Sequence, residues 1–89
     1  MEKQQIVNDI KTLLPDAEVI PEGQDCNFTV SVVSETFTGM RTVARQQLVL
    51  GAFTQYLRSG ELHALSVKAY TRDEWKIQLQ NQQSSLVQL

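Results

Sequence analysis

Only one cysteine and one histidine occur in 89 residues. A single thiol cannot close an internal disulfide, so no oxidising compartment is implied and a cytoplasmic protein is the expectation. Two soft donors cannot fill a structural zinc site, which takes four ligands. A Cys–His nucleophilic pair lacks a nameable third orienting group and an oxyanion-forming motif, so no enzyme is expected. No apolar run approaches the ~20 residues that cross a bilayer, which argues against a membrane protein. The opening Met1-Glu2-Lys3-Gln4-Gln5 starts no signal-peptide stretch. An excess of base is missing too. The net charge is −2, which by itself is no nucleic-acid footprint.

What is present reads as one small domain. The length excludes two. A hydrophobic share of 42% and a charged share of 20% are globular values. Charge is uneven along the chain. Residues 1–40 hold two lysines against seven acids, a balance of −5, and residues 41–89 hold six bases against three acids, a balance of +3.

Ile6, Ile10, Leu13 and Leu14 recur at helical spacing, and Pro15 ends that run. Asp16 to Ile20 reads as a weak strand closed by Pro21-Glu22-Gly23. Asn27 to Ser34 is the clearest strand, with Phe28, Val30 and Val32 on one face and Thr29 and Ser31 on the other. The loop Gln24-Asp25-Cys26 precedes it, and the two strands, joined by a Pro/Gly turn, suggest an antiparallel hairpin. Arg41 to Arg58 reads as the main helix, with Val49, Phe53 and Leu57 as its buried stripe and Ser59-Gly60 as its stop. A third strand carries Leu65, Val67 and Ala69 on one face. Thr71-Arg72-Asp73-Glu74 matches a capping box and should start a last helix, with Trp75 and Leu79 inward. The stretch 77–89 is polar and is expected to be a frayed helical extension or a disordered end.

Topology follows from connection length. The excursion from Ser34 to Leu62 contains the long helix, and such a crossover returns to a parallel neighbour. The second and third strands then start at one end of the sheet. Cys26 precedes the second strand and His63 opens the third. With strands ~4.8 Å apart, the two residues could approach within about 10 Å. A thiolate and an imidazole both suit iron, copper or zinc. Together they would make a half-site needing further ligands from a partner.

Three stretches are similar to the BolA-like family: Phe28 to Met40, Val43 to Val49, and Leu62-His63-Ala64-Leu65-Ser66-Val67-Lys68-Ala69-Tyr70-Thr71-Arg72-Asp73-Glu74-Trp75. The resemblance covers a domain of residues 1–76. It implies an α+β fold of KH-like type II, ordered α-β-β-α-β-α, with a three-stranded mixed sheet and helices on one face. It also implies a monothiol glutaredoxin as partner. The pair would share a two-iron two-sulfur cluster, with glutathione supplying a thiolate and none of the cluster held by the isolated chain. His63 stands at the family's histidine ligand. Cys26 lies two residues before Phe28, which resembles the cysteine type of loop and makes Cys26 the second candidate ligand. Other members are DNA-binding regulators. On that alternative Arg41, Arg45 and Lys68 form the surface, although no two of the four glycines have the Gly-x-x-Gly spacing by which KH domains grip nucleic acid. A weak homodimer is the remaining alternative.

Overall fold

Phe28, Val30 and Val32 alternate with Thr29 and Ser31, and Asn27–Val33 forms the central strand, β2, of a three-stranded sheet. The computed structural model describes residues 1–87. Strand β1, Glu18–Gln24, pairs antiparallel with β2. Strand β3, Ala64–Tyr70, pairs with the other side of β2 in parallel, with Phe28 opposite Leu65 and Val30 opposite Val67. The parallel return expected from the long crossover is therefore observed.

Helix α1, Lys3–Leu13, lays Ile6 and Ile10 on the sheet. Leu14 and Ala17 continue that contact past the helix end. From the crossover, Phe37, Val49, Phe53 and Leu62 close the same core against Phe28, Val30, Val32 and Val67. Each such side chain contributes about 1.5–3 kcal/mol when fully buried.

The hairpin differs from the expectation. Strand β1 starts two residues later and runs through Pro21 and Gly23 to Gln24. The turn is Asp25-Cys26, because Gln24 pairs with Asn27. Pro21 is tolerated within a strand because β1 lies at the sheet edge, where a missing donor need not break a ladder bond. Gly23 takes a positive φ of 114°.

The expected single helix from Arg41 to Arg58 is two. Helix α2 spans Thr42–Gly51 and α3 spans Thr54–Ser59. Between them, Ala52 and Phe53 donate to carbonyls three residues back, a tightened turn that carries Phe53 into the core. The break shifts the helical phase of α3 relative to α2, so Leu57 is 37% exposed and the expected stripe keeps only Val49 and Phe53. Gly60 closes α3 in the left-handed conformation, as anticipated.

Helix α4, Arg72–Val87, opens on the expected capping box. Thr71 N–H donates to Glu74 Oε1 at 2.9 Å, and Glu74 N–H donates to Thr71 Oγ1 at 3.3 Å. Trp75 stacks at a tilt on Tyr70, 5.2 Å between centroids. Leu79 does not face inward as expected; it is 41% exposed, as α4 runs on with few contacts to the sheet. The polar stretch 77–89 falls within α4 as far as Val87, and its last two residues lie outside the described residues.

Arg45 also departs from expectation. It is buried rather than on the exposed helix face. Its Nε donates to Met40 O at 2.9 Å, Nη1 donates to Ala69 O and Glu74 Oε1, and Nη2 donates to Glu74 Oε2. Its guanidinium sits 5.8 Å from the Phe37 ring centroid. Beside it, Gln46 Nε2 donates to Val67 O at 3.2 Å. These two side chains cover carbonyls of β3, whose outer side has no strand neighbour.

Two carboxylates tie the far end of the sheet to its helices. Asp16 accepts from buried Ser34 Oγ at 2.7 Å and from Glu35 N–H at 3.0 Å. The Ser34 bond, then the Glu35 amide, hold its carboxyl below the usual range. The Arg45 guanidinium, then the Thr71 amide, do the same for Glu74. A carboxyl depressed in the folded state stabilises above its unfolded pKa, and loses that contribution as pH falls through the folded value. The urea midpoint should therefore be flat near neutrality and fall as pH drops below about 4. Asp16→Asn and Glu74→Gln should each flatten the acid limb. An unchanged limb in both variants would place the acid sensitivity elsewhere.

Candidate metal-ligand corner

The two-residue hairpin Asp25-Cys26 requires both residues at positive φ, and they take 55° and 65°. Turns of this kind favour Asn, Asp and Gly. Cysteine has no local hydrogen bond to offer there, and the left-handed region costs an L-residue about 1–2 kcal/mol. Cys26 is nevertheless at the second position, half-buried and free of any disulfide.

The start of β3 is fastened to this turn. Cys26 O accepts from His63 N–H at 2.9 Å and from Ala64 N–H at 3.2 Å. On the other side, Leu62 is fully buried and donates its N–H to Tyr56 O at 3.1 Å. His63 therefore projects from a segment anchored immediately before and after it, and is itself exposed. The Met1 amino group approaches Cys26 Sγ at 3.5 Å and Glu61 O at 3.3 Å. Nothing in the sequence pattern signalled the arrival of Met1, because helix docking across 25 residues decides it.

The chain thus brings the backbones of its one cysteine and its one histidine to a single corner of the sheet, as the parallel pairing required. That donor set suits a soft or borderline metal but supplies only two ligands. Among the described residues no group of three or more His, Cys, Asp or Glu could hold a metal ion alone. By donor type and number, the two residues would make half of a shared centre. They do not fit an autonomous one.

The other predicted site residues divide. Arg41 and Lys68 are exposed. Arg45 is not brought to that surface, since Glu74 and two carbonyls engage it. Thr42, Gln46, Lys68, Tyr70 and Ile77 border an open cleft of about 440 Å³ between α2, β3 and α4, with Arg45 at its floor. No helix of the described residues is long and apolar enough to cross a membrane.

A family model described as "BolA-like protein" matches residues 3–74. The chain belongs to the BolA-like family. It is similar to the "Acid stress protein IbaG" of Escherichia coli (strain K12), 40% identical over 72 residues, covering 76% of this chain and 86% of that protein. It is also similar to the "DNA-binding transcriptional regulator BolA" of Vibrio cholerae, 42% identical over 69 residues, covering 78% of this chain and 62% of the regulator. Among solved structures, a BolA protein homologue from Coxiella burnetii superposes with a TM-score of 0.74 at 35% identity, covering 85% of this chain and 97% of that one. The mixed three-stranded sheet with its helices is thus the BolA architecture, and the BolA-like match ends at Glu74, the capping residue of α4.

Cys26→Gly separates the role of the thiol in this BolA-like chain from any role in folding. Glycine relieves the left-handed strain but adds about 0.5–1 kcal/mol of unfolded-state entropy. The variant should be as stable as the parent, or up to about 1 kcal/mol more stable, by urea unfolding. A loss above 1 kcal/mol would make Cys26 a packing residue.

Proposed function

We propose that the protein is an iron–sulfur partner of a monothiol glutaredoxin. The two proteins share a two-iron two-sulfur cluster in iron homeostasis, cluster trafficking or stress response. The observation that carries this reading is the backbone fastening of the sole cysteine to the sole histidine, with the thiol in a strained turn and the imidazole exposed. The turn does not favour cysteine, and strain kept at one position points to use of its side chain. His63 and Cys26 would be this chain's ligands. The glutaredoxin and its glutathione would complete the set, and the cluster would supply electron and iron–sulfur transfer chemistry. On this reading the chain is an adaptor without enzymatic activity, and the isolated chain is colourless.

Co-expression with a monothiol glutaredoxin, followed by visible absorption and circular dichroism of the purified complex, tests it. A coloured heterodimer with a spectrum distinct from the glutaredoxin homodimer is expected. A colourless mixture, or the homodimer spectrum alone, counts against it.

A second reading has one specific support, the similarity to a protein named as a DNA-binding transcriptional regulator. Arg41 and Lys68 are the exposed bases it would use, without Arg45. It requires salt-dependent duplex binding by the chain alone, weakened in Arg41→Gln and Lys68→Gln. Absence of binding at low salt removes its direct form.

A further inference from the structure

We infer that Gly23 is the positioning residue of the Cys26–His63 corner. The inference rests on the shared-centre reading above and adds a residue to it. Gly23 is the last β1 position but one, paired with Phe28 across the hairpin. Its φ of +114° lies where L-residues are rarely found. A Cβ added there would stand 2.2 Å from Asn27 O and 3.0 Å from Phe28 Cα. Both neighbours are backbone, and they are the two residues that directly follow Cys26. They cannot swing aside as the end of a flexible side chain would. Any L-side chain at position 23 must push the Asn27–Phe28 backbone away from β1.

That displacement runs on to the corner through the Cys26 carbonyl and to the core through Phe28, whose own backbone is pushed. Cys26 O holds the N–H groups of His63 and Ala64, so a shift at Asn27 moves the acceptor on which the start of β3 rests. Of the core side chains of β2, Phe28 lies beside the turn, and Val30 and Val32 lie further along the strand. Gly23 therefore sets the place of the Cys26 thiol and its spacing from His63, while contributing no side chain to either. The Pro21-Glu22-Gly23 stretch looks like a turn in sequence, but its glycine serves the close approach of two strands.

The test compares Gly23→Ala with Gly39→Ala. Gly39 also has a positive φ, of 79°, with nothing within 4 Å of an added Cβ, and it lies beyond the opposite end of β2. Both variants carry a positive-φ penalty, but only one carries the backbone clash. In Gly23→Ala, amide exchange at His63 and Ala64 should speed by tenfold or more relative to Gly39→Ala, with far-ultraviolet dichroism kept. The complex with monothiol glutaredoxin should show an altered visible dichroism in Gly23→Ala and the parent signal in Gly39→Ala. A semisynthetic chain with D-alanine at position 23, joined at Cys26, favours positive φ and carries its methyl on the other side of Cα. It should restore parent exchange rates and the parent signal.

Equal exchange at His63 and Ala64 in both alanine variants overturns the assignment. So does global unfolding of Gly23→Ala, which would make Gly23 a folding residue, and so does failure of the D-alanine chain to restore the parent rates. The exchange measurement needs no partner and no cluster. If the parent forms no coloured complex, the shared-centre reading fails on that result, while exchange still decides what Gly23 does to the corner.

Discussion

Replacing His63 with alanine should leave the fold intact and change the optical and redox properties of the glutaredoxin complex. His63 is exposed, and its backbone N–H, which alanine keeps, makes the bond to Cys26 O. Surface truncations of this kind stay within about 0.5 kcal/mol of the parent. On the proposed reading, the imidazole is a neutral donor where a thiolate would otherwise stand. Histidine ligation raises the potential of such centres, as in Rieske proteins. Loss of His63 should therefore lower the reduction potential by on the order of 100 mV and move the visible spectrum toward the all-thiolate homodimer. The two proteins can still associate, because other surface groups remain. A variant complex with the parent spectrum and potential would remove His63 from the ligand set. A variant that unfolds would show that the imidazole supports the core edge instead.

Arg45→Ala should be the most damaging single change outside the apolar core. The side chain is 10% exposed, and its guanidinium serves Met40 O, Ala69 O and both oxygens of Glu74. Truncation strands two carbonyls and removes the cation over the Phe37 ring. Breaking a fully buried pair costs 3–5 kcal/mol in general. Glu74 is 46% exposed, so water can solvate it once the arginine is gone, and the cost should be nearer 2–3 kcal/mol. For a chain of this size that is a fall in Tm of roughly 10–20 °C. Glu74→Gln keeps an acceptor for the Thr71 cap and should cost about 1 kcal/mol. Arg45→Lys should fall between, since an ammonium cannot reach four acceptors in a plane. Thermal unfolding of the three variants orders them. A loss below 1 kcal/mol in Arg45→Ala would mean that the apolar contacts of α2 alone hold it in place.

What the sequence made legible was local or followed from chain length. Alternation in Phe28–Val32 and Leu65–Ala69 marked the strands, and Thr71 with Glu74 marked the start of α4. The crossover length implied parallel pairing, and that pairing alone predicted that Cys26 and His63 would meet. The turn lay within the loop expected at Gln24-Asp25-Cys26, but the run of β1 up to Gln24 was hidden because Pro21 and Gly23 are stronger turn formers than Asp25 and Cys26. Register across the whole hairpin outweighs those preferences. The break after Gly51 was hidden because burying Phe53 rewards a bent helix, and periodicity assumes a straight one. Arg45 was misread because its partner Glu74 lies 29 residues away. An arginine on an amphipathic helix looks solvated until that partner is known.

The side chains of Arg45 and Gln46 that cap carbonyls of β3 have a consequence for how this molecule meets others. The outer side of β3 offers little of the ladder that a fourth strand would need. At the opposite edge, Pro21 has no N–H to give. A visiting strand therefore meets an interrupted ladder at either border of the sheet, which discourages stacking of copies into ribbons.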